Sequence, residues 1–177
     1  AGIKLCEALN LQYGFDAISL MPTNLYGPGD YYNPENSHVI PAFINKFDNA
    51  AKNNFKKVVC WGTGSPFREF LYVDDLADAC KFVLENWKPH KEEIKYLNVG
   101  TGKDMKIKQI AESISRKCGF NGDIEWDLSK PDGTPKKQLD ISKIMSLGWQ
   151  PKISFEEGLT LTISNYKYLK NNNKLRQ

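Results

Sequence analysis

Strand-like and helix-like apolar patterns alternate along this chain, and this alternation limits its possible folds more than any other feature of the sequence. Short apolar runs that end in Gly or Pro predict strands, whereas apolar residues repeated every three or four positions predict helices. Strands that are separated by helices of about 10–15 residues are typical of β-α-β units with a mostly parallel sheet. The sequence therefore predicts an α/β fold.

The apolar patterns place six helices and five strands along the chain. The predicted helices cover residues 1–12, 39–47, 76–87, 107–118, 142–147 and 155–169. The predicted strands cover residues 16–21, 57–61, 69–73, 96–99 and 124–126. Gly14 is predicted to end the first helix and Asn36 or Ser37 to cap the second, because these residue types favour helix ends. The asparagine-rich residues 171–177 are predicted to form a frayed tail.

The composition argues against several functional classes. The chain has 24 Lys and Arg against 21 Asp and Glu, and this net charge of +3 does not favour binding to nucleic acid. No apolar run approaches the roughly 20 residues of a membrane-spanning helix, so no membrane role is predicted. Cys6, Cys60, Cys80 and Cys118 form no Cys-x-x-Cys pair, which argues against a zinc site and favours a reducing cytoplasm.

A long polar loop over residues 23–37 follows the first predicted strand. Open α/β sheets bind ligands at the carboxyl ends of their strands, and a loop of this length is usually functional. His38 comes directly after the loop, and it is the better candidate of the two histidines because His90 lies in a charged segment. Either His38 faces a ligand, or it makes a hydrogen bond at the start of the next helix.

Three further segments contain residues suited to binding. Arg68 lies between a Gly/Pro turn and an apolar strand, where it either clamps an anion or pairs with Glu69 or Asp74. The loop 130–137 carries three lysines and is either a phosphate site or a solvated turn. Trp61, at a strand end, either faces a ligand or packs in the core. Neither of the two Gly-Thr-Gly segments continues as Gly-x-Gly-x-x-Gly, so both are predicted to be turns.

Six segments of the chain together carry a family resemblance. They read MPTNLYGPGD, PENSHVIPAFI, VVCWGTGSPFREFLYVDDLADAC, LNVGTG, SKPDGTPKKQLD and LGWQPKISFEEGL. Their order resembles the GDP-L-fucose synthases, a family of extended short-chain dehydrogenases/reductases, from Ala1 to about Tyr168. REFLYVDD and LNVGTG indicate only the wider group of nucleotide-sugar epimerases and dehydratases. NSHVIP, WGTGSPFREF and KPDGTPKK narrow the resemblance to the synthases.

The resemblance implies an NADP-dependent epimerase-reductase that converts a GDP-4-keto-6-deoxymannose to GDP-L-fucose. Four residues are implied to line the nicotinamide side of the NADP(H) site: Pro22, Thr23, Asn24 and Leu25. His38 is implied to be the general acid of epimerisation and to lie near the cofactor. Five residues are implied to contact the GDP-sugar substrate: Lys46, Trp61, Arg68, Asp132 and Lys137.

The resemblance also implies a doubly wound Rossmann cofactor domain with a smaller α/β substrate-binding lobe. Residues 1–35, with return strands near 57–75 and 95–100, are assigned to the last part of the Rossmann domain. Residues 36–56 and 103–170 are assigned mainly to the substrate lobe.

The chain opens on Ala1 within a helical pattern, so we expect it to be the carboxyl-terminal half of such an enzyme. The family's Gly-rich phosphate loop, catalytic Ser and Cys, and Tyr-x-x-x-Lys motif are expected before Ala1. We therefore expect the chain alone not to catalyse the reduction. The implied partner is a second copy in a homodimer, or a separate amino-terminal half, in the cytoplasm.

Two alternatives to this interpretation stay open. In the first alternative, the chain is part of another nucleotide-sugar epimerase or dehydratase, and UDP- or dTDP-sugars should then bind better than GDP-sugars. Trp61 and the loop 130–137 are expected to set that preference. In the second alternative, the chain is a non-catalytic module that binds a GDP-sugar.

Overall fold

The computed structural model describes residues 1–33, 36–88 and 96–176, in which helices and strands alternate. Four of the five strand pairings in this part of the chain are parallel, which confirms the predicted α/β fold class. Apart from its first residue, Lys88, the charged segment around His90 lies outside the described residues.

Helices form most of the regular structure in the described ranges. They are α1 (Gly2–Tyr13), α2 (Val39–Lys52), α3 (Val73–Asn86), α4 (Ile107–Cys118), α5 (Ser142–Ser146) and α6 (Phe155–Asn171). The strands are β1 (Ser19–Pro22), β2 (Asn24–Tyr26), β3 (Lys57–Trp61), β4 (Phe67–Tyr72), β5 (Tyr96–Val99), β6 (Asp104–Lys106), β7 (Asp123–Asp127) and β8 (Lys136–Lys137). The predicted bounds of α4, β3 and β5 are confirmed.

The largest differences from the sequence prediction concern short strands and helix starts. The apolar pattern predicts no strand at β2, β6 or β8, because strands of two or three residues are too short to show a period. Helix α3 begins at Val73, three residues earlier than predicted, and carries Asp74 and Asp75 in its first turn. Acidic side chains are stabilising at the amino-terminal end of a helix, because the unpaired backbone N–H groups there carry a partial positive charge.

The predicted cap of α2 is wrong. His38 is the N-cap residue, with extended backbone angles, whereas the sequence pointed to Asn36 or Ser37. No side chain makes a capping hydrogen bond at this helix end, so residue type alone predicted the wrong N-cap residue. In contrast, Gly14 ends α1 in the left-handed conformation (φ 68°), as predicted.

Strand β4 is the centre of the fold, because β2, β6 and β8 all pair with it. Its second half runs parallel to β2, with Phe70 opposite Asn24. Its first half lies between antiparallel β6 and parallel β8. Two further parallel pairs, β1 with β5 and β3 with β7, complete the described sheets. This arrangement brings distant parts of the chain to one strand.

Two hydrophobic cores lie on opposite faces of β4. Phe70 and Tyr72 belong to the core that is formed largely by α2, α4 and α6, whereas Leu71 between them belongs to the core under α3 and α5. Successive side chains of a strand point to opposite faces, so this alternation shows that β4 is covered on both sides.

Helix α1 contributes little to either core. None of its residues is buried, and the apolar side chains of Leu5, Leu11 and Tyr13 are exposed. The described part of the chain contains no helix that is both long and apolar enough to cross a lipid bilayer.

Candidate functional site

A cleft of about 800 Å³ opens where the segments around β2, α2 and β4 meet. Most of its lining residues come from four parts of the chain: residues 23–30, the start of α2 with the residues before it, β4 with the end of β3 and the turn between them, and residues 131–133. Val73 and Ile107 complete the lining. A volume of this size is typical of sites for small organic ligands.

Eight of the ten residues that were predicted from the sequence line this one cleft. They are Thr23, Asn24, Leu25, His38, Lys46, Trp61, Arg68 and Asp132. The other two are not among the lining residues. Pro22 is an exposed residue at the end of β1, opposite Val99 of β5. Lys137 is exposed on β8, where its backbone pairs opposite Arg68.

Thr23 and Asn24 are held in place by the backbone of β4. The hydroxyl of Thr23 and the amide nitrogen of Asn24 both donate to the carbonyl oxygen of Glu69, at 3.2 and 2.8 Å. The backbone N–H of Thr23 donates to the carbonyl oxygen of Val99 at 2.9 Å. This side of the cleft is therefore joined by hydrogen bonds to both β4 and β5.

The side chain of Glu69 anchors the neighbouring turns. It is fully buried and accepts hydrogen bonds from the backbone N–H groups of Thr101 and Gly102 on one oxygen, at 2.6 and 2.8 Å. Its other oxygen accepts from the N–H of Leu139 at 2.8 Å. From the sequence, Glu69 was only a possible partner for Arg68, because nothing in the local pattern indicates which backbone groups will reach it.

His38 stands at the start of α2 with an exposed side chain. Its imidazole makes no capping hydrogen bond in the described part of the chain, so the alternative of a hydrogen bond at the helix start is wrong. Asp30 also lines the cleft, and burial raises the pKa of its carboxyl against the opposing effects of the Tyr31 N–H and the His38 charge. Sequence reasoning missed Asp30 as a site residue, although the acid follows a Gly-Pro-Gly turn in the suspected loop.

Trp61 adds an exposed aromatic surface to the cleft. Its side chain is 63% exposed at the end of β3, so the alternative of a core tryptophan is wrong. The ammonium of Lys46 lies 5.7 Å from the centre of the Trp61 ring and donates to the carbonyl oxygen of Val59 at 3.0 Å. A lysine at this distance from an aromatic ring makes a cation–π contact.

Arg68 and Asp132 fasten the loop 130–137 to the cleft. Arg68 donates to the carbonyl oxygens of Phe67 and Thr134, at 2.7 and 2.6 Å, and within the described ranges it does not pair with Glu69 or Asp74. Asp132 accepts from the N–H and the hydroxyl of Thr63, at 2.9 and 2.6 Å. These bonds hold the pKa of the Asp132 carboxyl below its usual value. Asp132 therefore presents a negative charge to the cleft at neutral pH.

A Tyr-x-x-x-Lys spacing that the sequence analysis missed is present within the chain at Tyr166 and Lys170. The two side chains meet, with the lysine nitrogen 3.0 Å from the tyrosine oxygen. However, Tyr166 is fully buried on α6, and burial raises the pKa of its hydroxyl well above the usual range. Lys170 also pairs with the buried Asp48 of α2, at 2.8 Å. The pair joins α6 to α2 and does not line the cleft.

The cleft thus combines an exposed aromatic ring, an exposed imidazole and two cationic side chains with the carboxyls of Asp30 and Asp132. These groups together suit a ligand that has a flat ring, negatively charged groups and hydroxyl or amine donors. Among the residues that the structure describes, no group of three or more His, Cys, Asp or Glu side chains is placed to hold a metal ion.

Comparison with known proteins identifies a family. Residues 1–100 match the NAD dependent epimerase/dehydratase family. The chain is 54% identical over 166 residues to "Probable GDP-L-fucose synthase 1" of Oryza sativa subsp. japonica, covering 94% of this chain and 49% of that protein. It is 48% identical to "GDP-L-fucose synthase" of Escherichia coli K12, covering 99% of this chain and 56% of that protein. The chain therefore spans about half the length of the curated relatives it matches.

A solved structure supports the same relationship. The GDP-L-fucose synthetase from Naegleria fowleri bound to NADP superposes with a TM-score of 0.82 at 28% sequence identity. The superposition covers 99% of this chain and 55% of the Naegleria chain.

Proposed function

Because the chain belongs to the NAD dependent epimerase/dehydratase family, we propose that its cleft binds a GDP-sugar for the GDP-L-fucose synthase reaction. In that reaction, a GDP-4-keto-6-deoxymannose is epimerised at C3 and C5 and its 4-keto group is then reduced. The observation that carries the proposal is the meeting of eight predicted residues in one cleft. Because the chain spans about half the length of its relatives, ligand binding is proposed for this cleft, and the complete reaction is proposed for the protein to which the cleft belongs.

The end of the cleft near β1 suits the nicotinamide of NADP(H), the cofactor bound to the Naegleria protein. The side chains of Thr23 and Asn24 both donate to the carbonyl oxygen of Glu69, so they form a fixed wall of the cleft. The next residue, the apolar Leu25, also lines the cleft. Such a wall can lie against a flat ring while the exposed His38 remains free to contact the substrate. When bound, the cofactor supplies the hydride for the 4-keto carbon.

His38 is proposed to return the proton during epimerisation. A 4-keto group acidifies the hydrogens on C3 and C5, so removal of either proton gives an enolate that must be reprotonated from the opposite face. An imidazole ionises near neutral pH and can donate such a proton. His38 is suited to this role because its side chain is exposed at the cleft and makes no capping hydrogen bond among the described residues.

The opposite end of the cleft is proposed to hold the GDP moiety. Trp61 offers a ring on which a base can stack, and Lys46 and Arg68 offer positive charge to the phosphates. Asp132 supplies a fixed acceptor for hydroxyl or amine groups. Binding energy from the GDP moiety would then position the sugar beside His38.

Thermal unfolding with added ligand tests this proposal. A ligand at a hundredfold excess over its Kd stabilises the native state by about 2.7 kcal/mol, which raises the midpoint by about 5–10 °C for a chain of this size. We expect this shift with GDP-mannose and a smaller shift with UDP-glucose. NADPH in a separate sample tests the cofactor end.

Two exposed aromatic residues provide a matched pair of variants. Trp61→Leu should abolish the GDP-mannose shift, whereas Phe55→Leu should keep it, because Phe55 is 56% exposed but does not line the cleft. No shift in the folded wild-type chain would contradict the proposal. A larger shift with UDP-glucose would favour a different nucleotide-sugar epimerase or dehydratase.

A further inference from the structure

We propose that Lys130 is a further binding contact for the nucleotide, acting beside Lys46 at the Trp61 ring. This inference rests on the proposed function, since it names an additional residue for the same GDP-binding end of the cleft. The family resemblance assigned roles to Lys46, Trp61 and Arg68, and the loop 130–137 was treated as a whole from the sequence, without a role for Lys130 itself.

The position of Lys130 is set by the pairing of β3 with β7. Trp61 lies opposite Asp127 in this parallel pair. The Asp127 carboxylate accepts from the N–H and hydroxyl of Ser129, at 3.0 and 2.6 Å, and its carbonyl accepts from the N–H of Lys130 at 3.2 Å. This tight turn after β7 places the start of the loop 130–137 next to Trp61.

The side chain of Lys130 then reaches the aromatic surface. Its ammonium lies 5.7 Å from the centre of the Trp61 ring, the same distance as that of Lys46. The next residues in the chain, 131–133, line the cleft. Lys46 comes from α2 and Lys130 from the turn after β7, so two distant segments each bring one positive charge to the same exposed ring.

Neither ammonium forms an ion pair with a carboxylate in the described ranges. Lys136, in the same loop, pairs instead with Asp104 at 3.3 Å. An exposed cation–π contact is weak, so each lysine can leave the ring when a base stacks on it. Two such cations beside a stacking surface match the chemistry of a nucleoside diphosphate, which provides a flat base and phosphate oxygens.

Paired charge-removing variants test this role. Lys130→Gln and Lys136→Gln remove the same charge from the same exposed loop, but only Lys130 lies at Trp61. GDP affinity is measured by calorimetric titration of each folded variant. Loss of one charged contact should weaken GDP binding about five- to tenfold in Lys130→Gln. Lys136→Gln should change it less than about twofold, and Lys130→Arg should restore it because the charge returns.

The outcomes separate this inference from the proposed function. Equal GDP affinities for Lys130→Gln and Lys136→Gln would overturn the role of Lys130, while binding by the wild-type chain would still support the proposed function. Failure of Lys130→Arg to restore affinity would also overturn it. No GDP binding to the folded wild-type chain would overturn both.

Discussion

Replacing Glu69 by glutamine tests whether a single buried carboxylate holds the site-bearing strand β4 to its surroundings. The side chain is 0% exposed and accepts three backbone hydrogen bonds, from Thr101, Gly102 and Leu139. These donors lie 32 to 70 residues away in the chain. The carboxylate therefore joins the turn after β5 and the segment after β8 to the strand that carries Arg68.

The expected cost follows from the geometry of the three donors. Glutamine has one oxygen and one NH₂ group, so at least one backbone N–H will face another donor in place of an acceptor. A buried N–H without an acceptor costs about 1–3 kcal/mol, and the remaining bonds lose the extra strength that they owe to a full charge. We expect Glu69→Gln to lower the free energy of unfolding by about 2–4 kcal/mol. The melting midpoint should fall by about 5–15 °C.

Urea unfolding followed by far-ultraviolet circular dichroism measures this loss. Glu85→Gln is the matched control, because Glu85 carries the same charge but is exposed and forms an ion pair with Lys81 on the same helix. An exposed pair of this kind contributes about 0.5 kcal/mol or less. If Glu69→Gln loses no more stability than Glu85→Gln, the anchoring role assigned to Glu69 is wrong.

Three other substitutions or treatments have expected outcomes. Gly62→Ala should lower the free energy of unfolding by about 1–2 kcal/mol, because Gly62 has a left-handed backbone (φ 76°), and should weaken GDP binding, because the new Cβ meets the Asp132 carboxylate. The control Gly14→Ala, with φ 68° and open space around it, should lower stability without changing GDP binding. Unchanged GDP affinity in Gly62→Ala would contradict this expectation. Asp48 is buried, which raises the pKa of its carboxyl, but hydrogen bonds from Lys170 and Lys52 outweigh burial and hold this pKa below its usual value. Asp48→Asn should therefore lose about 2 kcal/mol at pH 7. Its difference from wild type should shrink as the pH falls below about 4, because the carboxylate is protonated first in the unfolded state and only at lower pH in the native state. A difference that stays constant down to about pH 3 would refute this. Burial raises the pKa of Cys60 to about 11 and, together with the Asp48 charge, raises that of Cys118 to about 12. A thiol reagent at about pH 8 should therefore label Cys6 and Cys80 first and should reach the two buried cysteines only after unfolding. Rapid labelling of all four cysteines in the folded chain would contradict this.

The α/β class and most helices could be predicted because their signals are local. The bounds of α4 follow from its own apolar period, and Gly119 ends it in the left-handed conformation, as Gly14 ends α1. Eight of the cleft residues could be named in advance because the motifs that contain them resemble a family. Local pattern and resemblance thus identified the elements and most of the candidate site.

Other features depend on contacts between distant residues, and no local pattern contains them. The spacing of Tyr166 and Lys170 matches a catalytic motif, yet α6 packs both residues against α2 and away from the cleft. Arg68 and Glu69 are neighbours in sequence but bond to different backbone groups, since they leave β4 in different directions.

The sequence by itself determined the alternation of helices and strands, the glycine that ends α1 and the chemical types of the residues in the cleft. Only the tertiary structure decided that Lys46 and Lys130 meet at Trp61, because parallel pairing of β3 with β7 and the packing of α2 bring them there. Side-chain chemistry is a property of each residue, whereas a binding site requires several residues to occupy one place, and that depends on pairing and burial across the whole chain.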